Sequence, residues 1–189
     1  MKKTLLTLTV ALTLNACQQI QNPVADGNLN PNNSNQIVSP QNLDFSRIQG
    51  VEKSLEINGQ TIAYIAYENI VYVTNPVDTR YQTLNIYIPK AYFNQQSIDG
   101  FTADTAPIFF PNNVGGYMPA KAGTVGLGRD GKPNAISVAL SKGYVVASAG
   151  ARGRSETTGK APAAIIDLKA AVRYLRANDK IMAGDAKKI

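Results

Sequence analysis

Two consecutive glycines in the middle of the chain are the first residues whose type and spacing point to chemistry. Gly115 and Gly116 follow the apolar run "APIFF" and the segment "PNNV". A glycine leaves the main chain uncovered, so another group can approach the backbone amides at such a pair. The pair therefore marks a candidate binding segment, with a plain turn as the alternative explanation.

Histidine is absent from all 189 residues, and Cys17 is the only cysteine. Without an imidazole to relay a proton near neutral pH, this sequence cannot by itself complete a Ser-His-Asp or Cys-His site. Histidine-based zinc sites, cysteine clusters and intrachain disulfides are excluded as well. We therefore predict no catalytic triad in this chain, no metal and no cofactor.

A second glycine-rich segment, "GLGRDGKP" at residues 126–133, fits G-x-G-x-x-G and most of a P-loop. A phosphate loop must leave a buried strand directly, whereas only Thr124 and Val125 precede these glycines. Pro133 also stands where a P-loop has the hydroxyl residue that binds magnesium. We predict a surface loop that leads to a helix cap.

A basic loop, "ARGRSETTG" at residues 151–159, directly follows the apolar run "YVVASAG" at residues 144–150. Arg152 and Arg154 lie in this loop at the carboxyl end of a predicted strand, where open α/β sheets place their sites. They either pair with Glu156 and order the loop, which we favour, or bind an anion, which would make Arg152 a substrate-pocket residue. Because the chain has no Gly-x-Ser-x-Gly, Ser148 and Ser155 are poor candidates for a nucleophile.

The elements that must position these residues begin near Val51, where the pattern changes. The segments "IAYIAYENIVYV" (62–73) and "YQTLNIYIP" (81–89) predict strands with one buried face, antiparallel neighbours at a sheet edge. The runs "APIFF" (106–110) and "YVVASAG" (144–150) are continuously apolar, which is typical of strands covered on both faces.

Helices separate and follow these two buried strands. Asn134 is suited to cap "AISVALSK", and Gly143 is suited to end it in the left-handed conformation. A second helix has Pro162 in its first turn. Its periodicity predicts an apolar stripe of Ile165, Leu168, Val172 and Leu175, with Lys169, Arg173 and Arg176 turned outward. The order of elements predicts an α/β domain over residues 51–189, with a mostly parallel sheet, an antiparallel edge and flanking helices.

The N-terminal segment "MKKTLLTLTVALTLNAC" places two lysines before an apolar stretch too short to span a bilayer. We predict an export signal over residues 1–16. The residues Leu14-Asn15-Ala16-Cys17 resemble the bacterial lipoprotein box, which implies lipidation of Cys17 and membrane attachment. Gln18 resembles the residue that sends Gram-negative lipoproteins to the outer membrane. An ordinary secretory signal with an incidental cysteine is the alternative.

Residues 17–50 are rich in Asn, Gln and Pro and lack apolar periodicity. This composition predicts a flexible, lipid-anchored linker. A random coil of roughly 25 residues has a reach of about 25–30 Å, enough to hold a domain clear of a membrane.

The formal net charge of +6 is unevenly placed along the chain. Residues 119–189 contain 13 Lys or Arg against 5 Asp or Glu. The cations are scattered, and neither a regular pattern of interleaved aromatic residues nor a recognised nucleic-acid-binding fold accompanies them, which favours a solvated face over nucleic-acid recognition. We predict no nucleic-acid partner.

Four segments, in their order and spacing, resemble the N-terminal part of the tannase-like α/β hydrolases, bacterial relatives of the tannase and feruloyl-esterase group. They are "TLNIYIPKAYF", "APIFFPNNVGGYMP", "AISVALSKGYVVASAGARGR" and "APAAIIDLKAAVRYLRAND". The resemblance covers roughly residues 62–189. It implies the N-terminal part of an α/β-hydrolase fold and a serine esterase acting on small-molecule carboxylic esters of phenolic or galloyl type.

The resemblance also assigns roles to residues. In α/β hydrolases a Gly-Gly segment after the third strand stabilises the oxyanion of the tetrahedral intermediate through its backbone amides. This implies that Gly115, Gly116 and the amide of Tyr117 form the oxyanion loop, and that Tyr117 or Met118 lines the acyl pocket. In the family, the strand expected to begin at Lys188 leads into the nucleophile elbow, and the acid and histidine lie further on.

Together these observations predict the N-terminal piece of a secreted, lipid-anchored esterase. The piece is truncated before the nucleophile-elbow strand and is inactive by itself. The alternative is a non-catalytic lipoprotein module of the cell envelope that binds a ligand or another envelope protein.

Overall fold

The computed structural model describes residues 43–57 and 59–189. The predicted export signal, Cys17 and most of the predicted linker lie outside these residues. In this part of the chain, no helix has the length and apolar character that crossing a membrane requires.

A five-stranded open sheet forms the centre of the described domain. Its strands are β1 (Val51–Ile57), β2 (Gln60–Val71), β3 (Thr83–Pro89), β4 (Ile108–Phe109) and β5 (Val145–Ala149), in the spatial order β1-β2-β3-β5-β4. The pairs β1/β2, β2/β3 and β3/β5 are antiparallel, and the pair β4/β5 is parallel. The sheet is therefore mixed.

The prediction of a mostly parallel sheet is wrong for these strands. A helical crossover is what makes consecutive strands parallel. The helix at 135–141 is the one described α-helix that lies between two strands, β4 and β5, and these form the one parallel pair among the five strands. A short 3-10 helix at Lys90–Asn94 follows β3. The other connections contain no α-helix, so they allow the antiparallel pairing that is observed.

Two helices cover the two faces of the sheet. Helix α1 (Ala135–Ser141) begins where the Asn134 side chain accepts a hydrogen bond from the Ser137 N–H at 2.9 Å, and Gly143 follows it with φ of +80°. Both features were predicted. Helix α2 (Ala163–Ala177) packs on the face that carries Leu84, Ile86 and Ile88, whereas α1 packs on the face that carries Tyr87 and Val146.

Strand β3 is central rather than half-exposed, which corrects the prediction from its alternating pattern. Residues 84–89 are all buried. Its polar members are satisfied by hydrogen bonds: the Asn85 amide binds the Asn69 N–H and the Gly123 carbonyl, and the Tyr87 hydroxyl donates to Glu68. A polar residue whose polar atoms are all hydrogen-bonded can occupy a buried strand. The alternation of apolar and polar residues therefore predicted the wrong exposure for Asn85 and Tyr87.

The buried face of α2 also differs from the predicted stripe. Leu175 is fully buried, Leu168 and Val172 are half-buried, and Ile165 is 54% exposed. Small residues and one acid occupy the buried face instead, namely Ala163, Ala164, Asp167 and Ala171. The small side chains allow α2 to pack closely on the sheet. Asp167 has a buried partner that is described below.

Residues 43–50, which were assigned to the linker, pack on the domain. Phe45 is 5% exposed, its ring lies 4.6 Å from that of Tyr67, and its N–H donates to the Asn178 side chain at 3.0 Å. The packed part of the chain therefore includes residues that precede the predicted boundary at Val51.

The last described residues run along the outer edge of β4. Pro107 and Asp185 form a parallel bridge, the Asp185 N–H donates to Ala106 O at 2.8 Å, and the Ile108 N–H donates to Lys188 O at 3.0 Å. The segment near Lys188 thus has the position and direction of a further parallel neighbour of β4.

Candidate active site

The glycine pair lies in a tight turn within the loop that follows β4. The Met118 N–H donates to Gly115 O at 3.0 Å, and the two central residues have positive φ, +57° at Gly116 and +60° at Tyr117. Two consecutive positive φ values are typical of a type I′ turn. The left-handed region costs a residue with a side chain about 1 kcal/mol. Strained residues of this kind cluster at functional sites, so the positive φ of Tyr117 makes this turn a candidate functional segment.

The space around the glycine pair is open. A Cβ added at Gly115 or Gly116 would meet no atom within 4 Å. The N–H groups of Gly115, Gly116 and Tyr117 donate to no acceptor in residues 43–57 and 59–189. The turn therefore presents unpaired amide donors to a space that a ligand oxygen can enter.

A short backbone ladder holds the turn against the loop that follows β5. The Arg154 N–H donates to Tyr117 O at 2.7 Å. Ala120 and Ala151 exchange two hydrogen bonds of 3.0 and 2.8 Å. The position of the Tyr117 peptide is thus fixed by the segment 151–154.

The close backbone approach that requires glycine occurs in this ladder, at Gly153. A Cβ on Gly153 would lie 2.0 Å from the Pro119 nitrogen and 2.3 Å from the Met118 carbonyl carbon. A Cβ on Gly159 would lie 2.0 Å from Gly153 O. At Gly116, by contrast, the chain needs glycine for its φ value and not for space.

Arg152 lies behind this ladder in a buried ion pair with Asp167 of α2. Its Nε and Nη2 donate to the two carboxylate oxygens at 2.9 and 2.8 Å, and its Nη1 donates to Thr158 O at 3.0 Å. Gln82 donates to the same carboxylate at 2.9 Å. The hydrogen bonds that Arg152 donates to the Asp167 carboxylate raise the pKa of the Arg152 guanidinium. All three guanidinium nitrogens are engaged within the domain, so the structure favours the loop-ordering role of Arg152 over the pocket role.

Glu156, the predicted partner of the two arginines, binds other residues. Its carboxylate lies 3.1 Å from Arg80 Nη2 and 3.3 Å from the Tyr81 hydroxyl. The pairing of Glu156 with Arg152 or Arg154 is therefore wrong. Among the described residues, no three His, Cys, Asp or Glu side chains come together in a way that could hold a metal ion.

A cavity of about 230 Å³ lies between the turn and α2. Its walls are Asn112, Val114, Gly116, Tyr117, Ala164, Ile165 and Leu168. Tyr117 is 52% exposed and Met118 is 44% exposed. Of the two residues predicted to line an acyl pocket, Tyr117 contributes to this cavity and Met118 is its exposed neighbour in the turn.

The remaining sequence candidates have structural roles. In the 126–133 segment the Gly128 N–H donates to Lys132 O at 2.7 Å, and the segment leads directly to the Asn134 cap, as predicted. The Ser148 hydroxyl is 1% exposed, accepts from the Gly123 N–H at 2.8 Å and donates to Pro111 O at 3.1 Å. Ser148 therefore anchors the chain below the turn and is not accessible to a substrate.

Sequence reasoning missed three residues that support the site: Gln82, Gly153 and Asp167. Asp167 carried a usable signal, because it falls on the same helix row as Ala163, Ala171 and Leu175, at intervals of four. An acid on the buried row of a helix requires a buried partner. Gly153 carried no local signal, because the segment that approaches it lies more than 30 residues earlier.

No family model and no curated protein matches the sequence. Solved structures do match. The tannase of Fusobacterium nucleatum superposes with a TM-score of 0.76 at 61% identity, over 78% of this chain and 32% of that one. A tannase from Lactobacillus plantarum superposes with a TM-score of 0.68 at 40% identity, over 74% of this chain and 31% of that one.

A tannin acyl hydrolase solved in complex with ethyl gallate also matches, with a TM-score of 0.68 at 41% identity. The match covers 74% of this chain and 32% of the tannin acyl hydrolase chain. The chain thus spans about a third of the length of the tannases that it matches.

The open mixed α/β sheet of the described domain is therefore similar, in sequence and in fold, to the matched third of known tannases. The chain is tannase-like over the three quarters of its length that superpose on them. The resemblance inferred from the four sequence segments is confirmed.

Proposed function

We propose that this chain forms the first part of a tannase-type carboxylic-ester hydrolase, in which the turn at Gly115–Tyr117 is the oxyanion loop. The observation that carries the proposal is the 61% identity to the F. nucleatum tannase over 78% of the chain. The unpaired amides of the turn and the open space beside them support the assigned role.

The proposed reaction is an acyl transfer through serine. A serine hydroxyl attacks the ester carbonyl, a histidine takes its proton, and water later releases the acyl group from the enzyme. The amides of the turn stabilise the negative oxygen of each tetrahedral intermediate, and loss of one such donor costs roughly 10²–10³ in kcat. Because this chain has no histidine, the base comes from polypeptide outside these residues.

We propose an α/β-hydrolase fold for the whole enzyme. The parallel β4–α1–β5 crossover and the parallel approach of residues 185–188 to β4 support it. In that fold the segment beginning at Lys188 continues as the next strand and leads to the nucleophile.

The proposed substrates are esters of phenolic acids. Tannin acyl hydrolase structures in complex with ethyl gallate and with 3,4-dihydroxybenzoate both show 41% identity to this chain over the matched part. By this analogy the cavity beside Tyr117 lies where one wall of the acyl site would form.

We further propose that the protein is exported and lipidated at Cys17, and that it resides in the outer membrane. The sequence of residues 1–18 supports this location. Metabolic labelling with palmitate tests it: the natural chain should incorporate label, and a Cys17→Ala variant should not. Equal labelling of the two would contradict lipidation.

A chimaera tests the proposed activity. Residues 43–189 of this chain replace the matched residues of the F. nucleatum tannase, which supplies the rest of the enzyme. We expect a folded protein that hydrolyses ethyl gallate. A folded chimaera without esterase activity, beside an active parent tannase, would contradict the proposal.

A further inference from the structure

The outer face of α2 carries a row of cations, which we call the basic stripe. It consists of Lys169, Arg173, Arg176 and Lys180, all exposed. At 3.6 residues per turn, the first three fall within an arc of about 60° on the helix surface. Lys180 follows in the turn after the helix. The stripe therefore presents three positive charges on one side of the helix, and a fourth exposed cation follows just beyond its C-terminal end.

These charges are not neutralised by the domain itself. None of the four side chains forms an ion pair with a carboxylate in residues 43–57 and 59–189. Asp167 is the one acid of α2, and it is 1% exposed and paired with Arg152. Asp179, beside Lys180, is half-buried and accepts the Ala186 N–H at 2.7 Å.

Apolar side chains continue the same face toward the start of the helix. Ile165 and Ile166 are 54% and 55% exposed, and each lies within about 60° of the stripe around the helix axis. A helix face that joins exposed aliphatic side chains to unpaired cations is typical of contact with an anionic membrane interface.

We propose that this face of α2 binds the anionic headgroups of a phospholipid surface. Charge complementarity and the absence of acids on the face favour phosphate groups as the ligand. The face is a convex helix surface, and Tyr174, the aromatic residue of α2, is 4% exposed, so no ring is available to stack a nucleic-acid base. A lipid surface therefore fits better than a nucleic acid. The proposal does not depend on the esterase activity or on lipidation of Cys17.

Co-sedimentation of the full chain with vesicles tests the proposal. One series uses mixed phosphatidylcholine and phosphatidylglycerol, and the other uses phosphatidylcholine alone. Because a basic residue near an anionic surface contributes about fivefold to binding, replacing all four by Gln should weaken binding to the mixed vesicles by at least about 100-fold. The affinity of the double variant Lys169→Gln, Arg173→Gln for the mixed vesicles should lie between that of the natural chain and that of the fourfold variant. Binding of the natural chain should also fall as salt is raised.

A charge-matched variant is the control. It replaces four exposed cations that lie outside α2, namely Lys121, Arg129, Lys132 and Lys187. We expect this variant to bind at least about tenfold more tightly than the stripe variant, although both lose four charges. All variants carry the same residues 1–42, so differences between them report the substituted faces. Far-UV circular dichroism confirms that each variant retains the fold.

Three results would overturn the proposal: equal loss in the two fourfold variants, equal binding to neutral and anionic vesicles, or unchanged binding of the stripe variant. A further measurement adds a single-stranded oligonucleotide as a competitor to the vesicle-binding assay. Displacement of the natural chain from vesicles at sub-stoichiometric oligonucleotide would assign the stripe to nucleic acid instead and would also overturn the proposal.

Discussion

Asp167 of α2 and Arg152 of the loop after β5 form a buried two-point ion pair, with nitrogen–oxygen distances of 2.8 and 2.9 Å. The Asp167 carboxylate also accepts the main-chain N–H of Arg152 at 2.9 Å. Since the next residues, Gly153 and Arg154, contact the turn at Tyr117, the pair connects the second helix to the candidate oxyanion loop.

Removal of Asp167 should destabilise the domain strongly. The variant Asp167→Ala leaves Arg152 buried without its partner, which costs about 3–5 kcal/mol. Urea unfolding followed by circular dichroism measures the loss. The matched variant Glu52→Gln breaks an exposed pair with Lys90 and should cost less than about 1 kcal/mol. Equal losses of unfolding free energy in the two variants would show that the buried pair stabilises the domain no more than an exposed pair does.

Gly153→Ala should displace the turn that carries the candidate oxyanion amides. Its Cβ would lie 2.0 Å from a backbone nitrogen, so the segments 118–119 and 153 must separate. We expect a loss of about 1–3 kcal/mol and faster hydrogen exchange at the Arg154 amide, which donates to Tyr117 O.

Gly126→Ala is the control for that substitution. A Cβ at Gly126 would meet no atom within 4 Å, and the residue does not have positive φ. It should leave both stability and exchange unchanged. If Gly153→Ala behaved in the same way, the close approach at the ladder would be disproved.

Buried tyrosines should make the domain sensitive to alkaline pH. Burial raises the pKa of Tyr72, Tyr87 and Tyr174 above the ordinary value of 10.0. A group whose folded pKa is raised contributes stability that is complete below its unfolded pKa and is lost as pH rises above it. Stability should therefore fall progressively above about pH 10.

Absorbance of tyrosinate against pH measures this effect, because the chain has nine tyrosines and no tryptophan. The buried tyrosines should ionise together with the loss of the circular dichroism signal. Ionisation of all nine near pH 10 with the fold intact would contradict the burial of these phenols.

Local patterns predicted the elements near the site well. The Asn134 cap, the left-handed Gly143 and the buried strand at Val145–Ala149 depend on residues close in sequence, and the structure agrees with each of them. The run at 106–110 forms a strand only at Ile108–Phe109, where Phe109 is half-buried, so its predicted burial on both faces is confirmed only in part. The glycine pair was likewise recognised, because apolar run, polar link and glycines follow one another within 11 residues, from Ala106 to Gly116.

Features that depend on distant partners were missed or wrongly assigned. Asn85 and Tyr87 looked like exposed positions of β3, but Asn69, Glu68 and Gly123 satisfy their polar atoms inside the fold. The antiparallel pairing of β2 with β3 was predicted and is confirmed, but the antiparallel pairing of β3 with β5 was not predicted, because strand direction depended on which connection contained a helix. The Asp167–Arg152 pair joins residues 15 positions apart, and the composition of neither segment predicts the contact.

The most direct test of the central claim removes one N–H from the turn. In the chimaera described above, the tyrosine at position 117 is replaced by its α-hydroxy acid analogue, which changes the amide to an ester and keeps the side chain. A Tyr117→Phe variant controls for the hydroxyl. If Tyr117 donates to the oxyanion, kcat for ethyl gallate falls by roughly 10²–10³ while KM changes little. If kcat stays within about threefold of the parent chimaera, the turn at Gly115–Tyr117 is not the oxyanion loop.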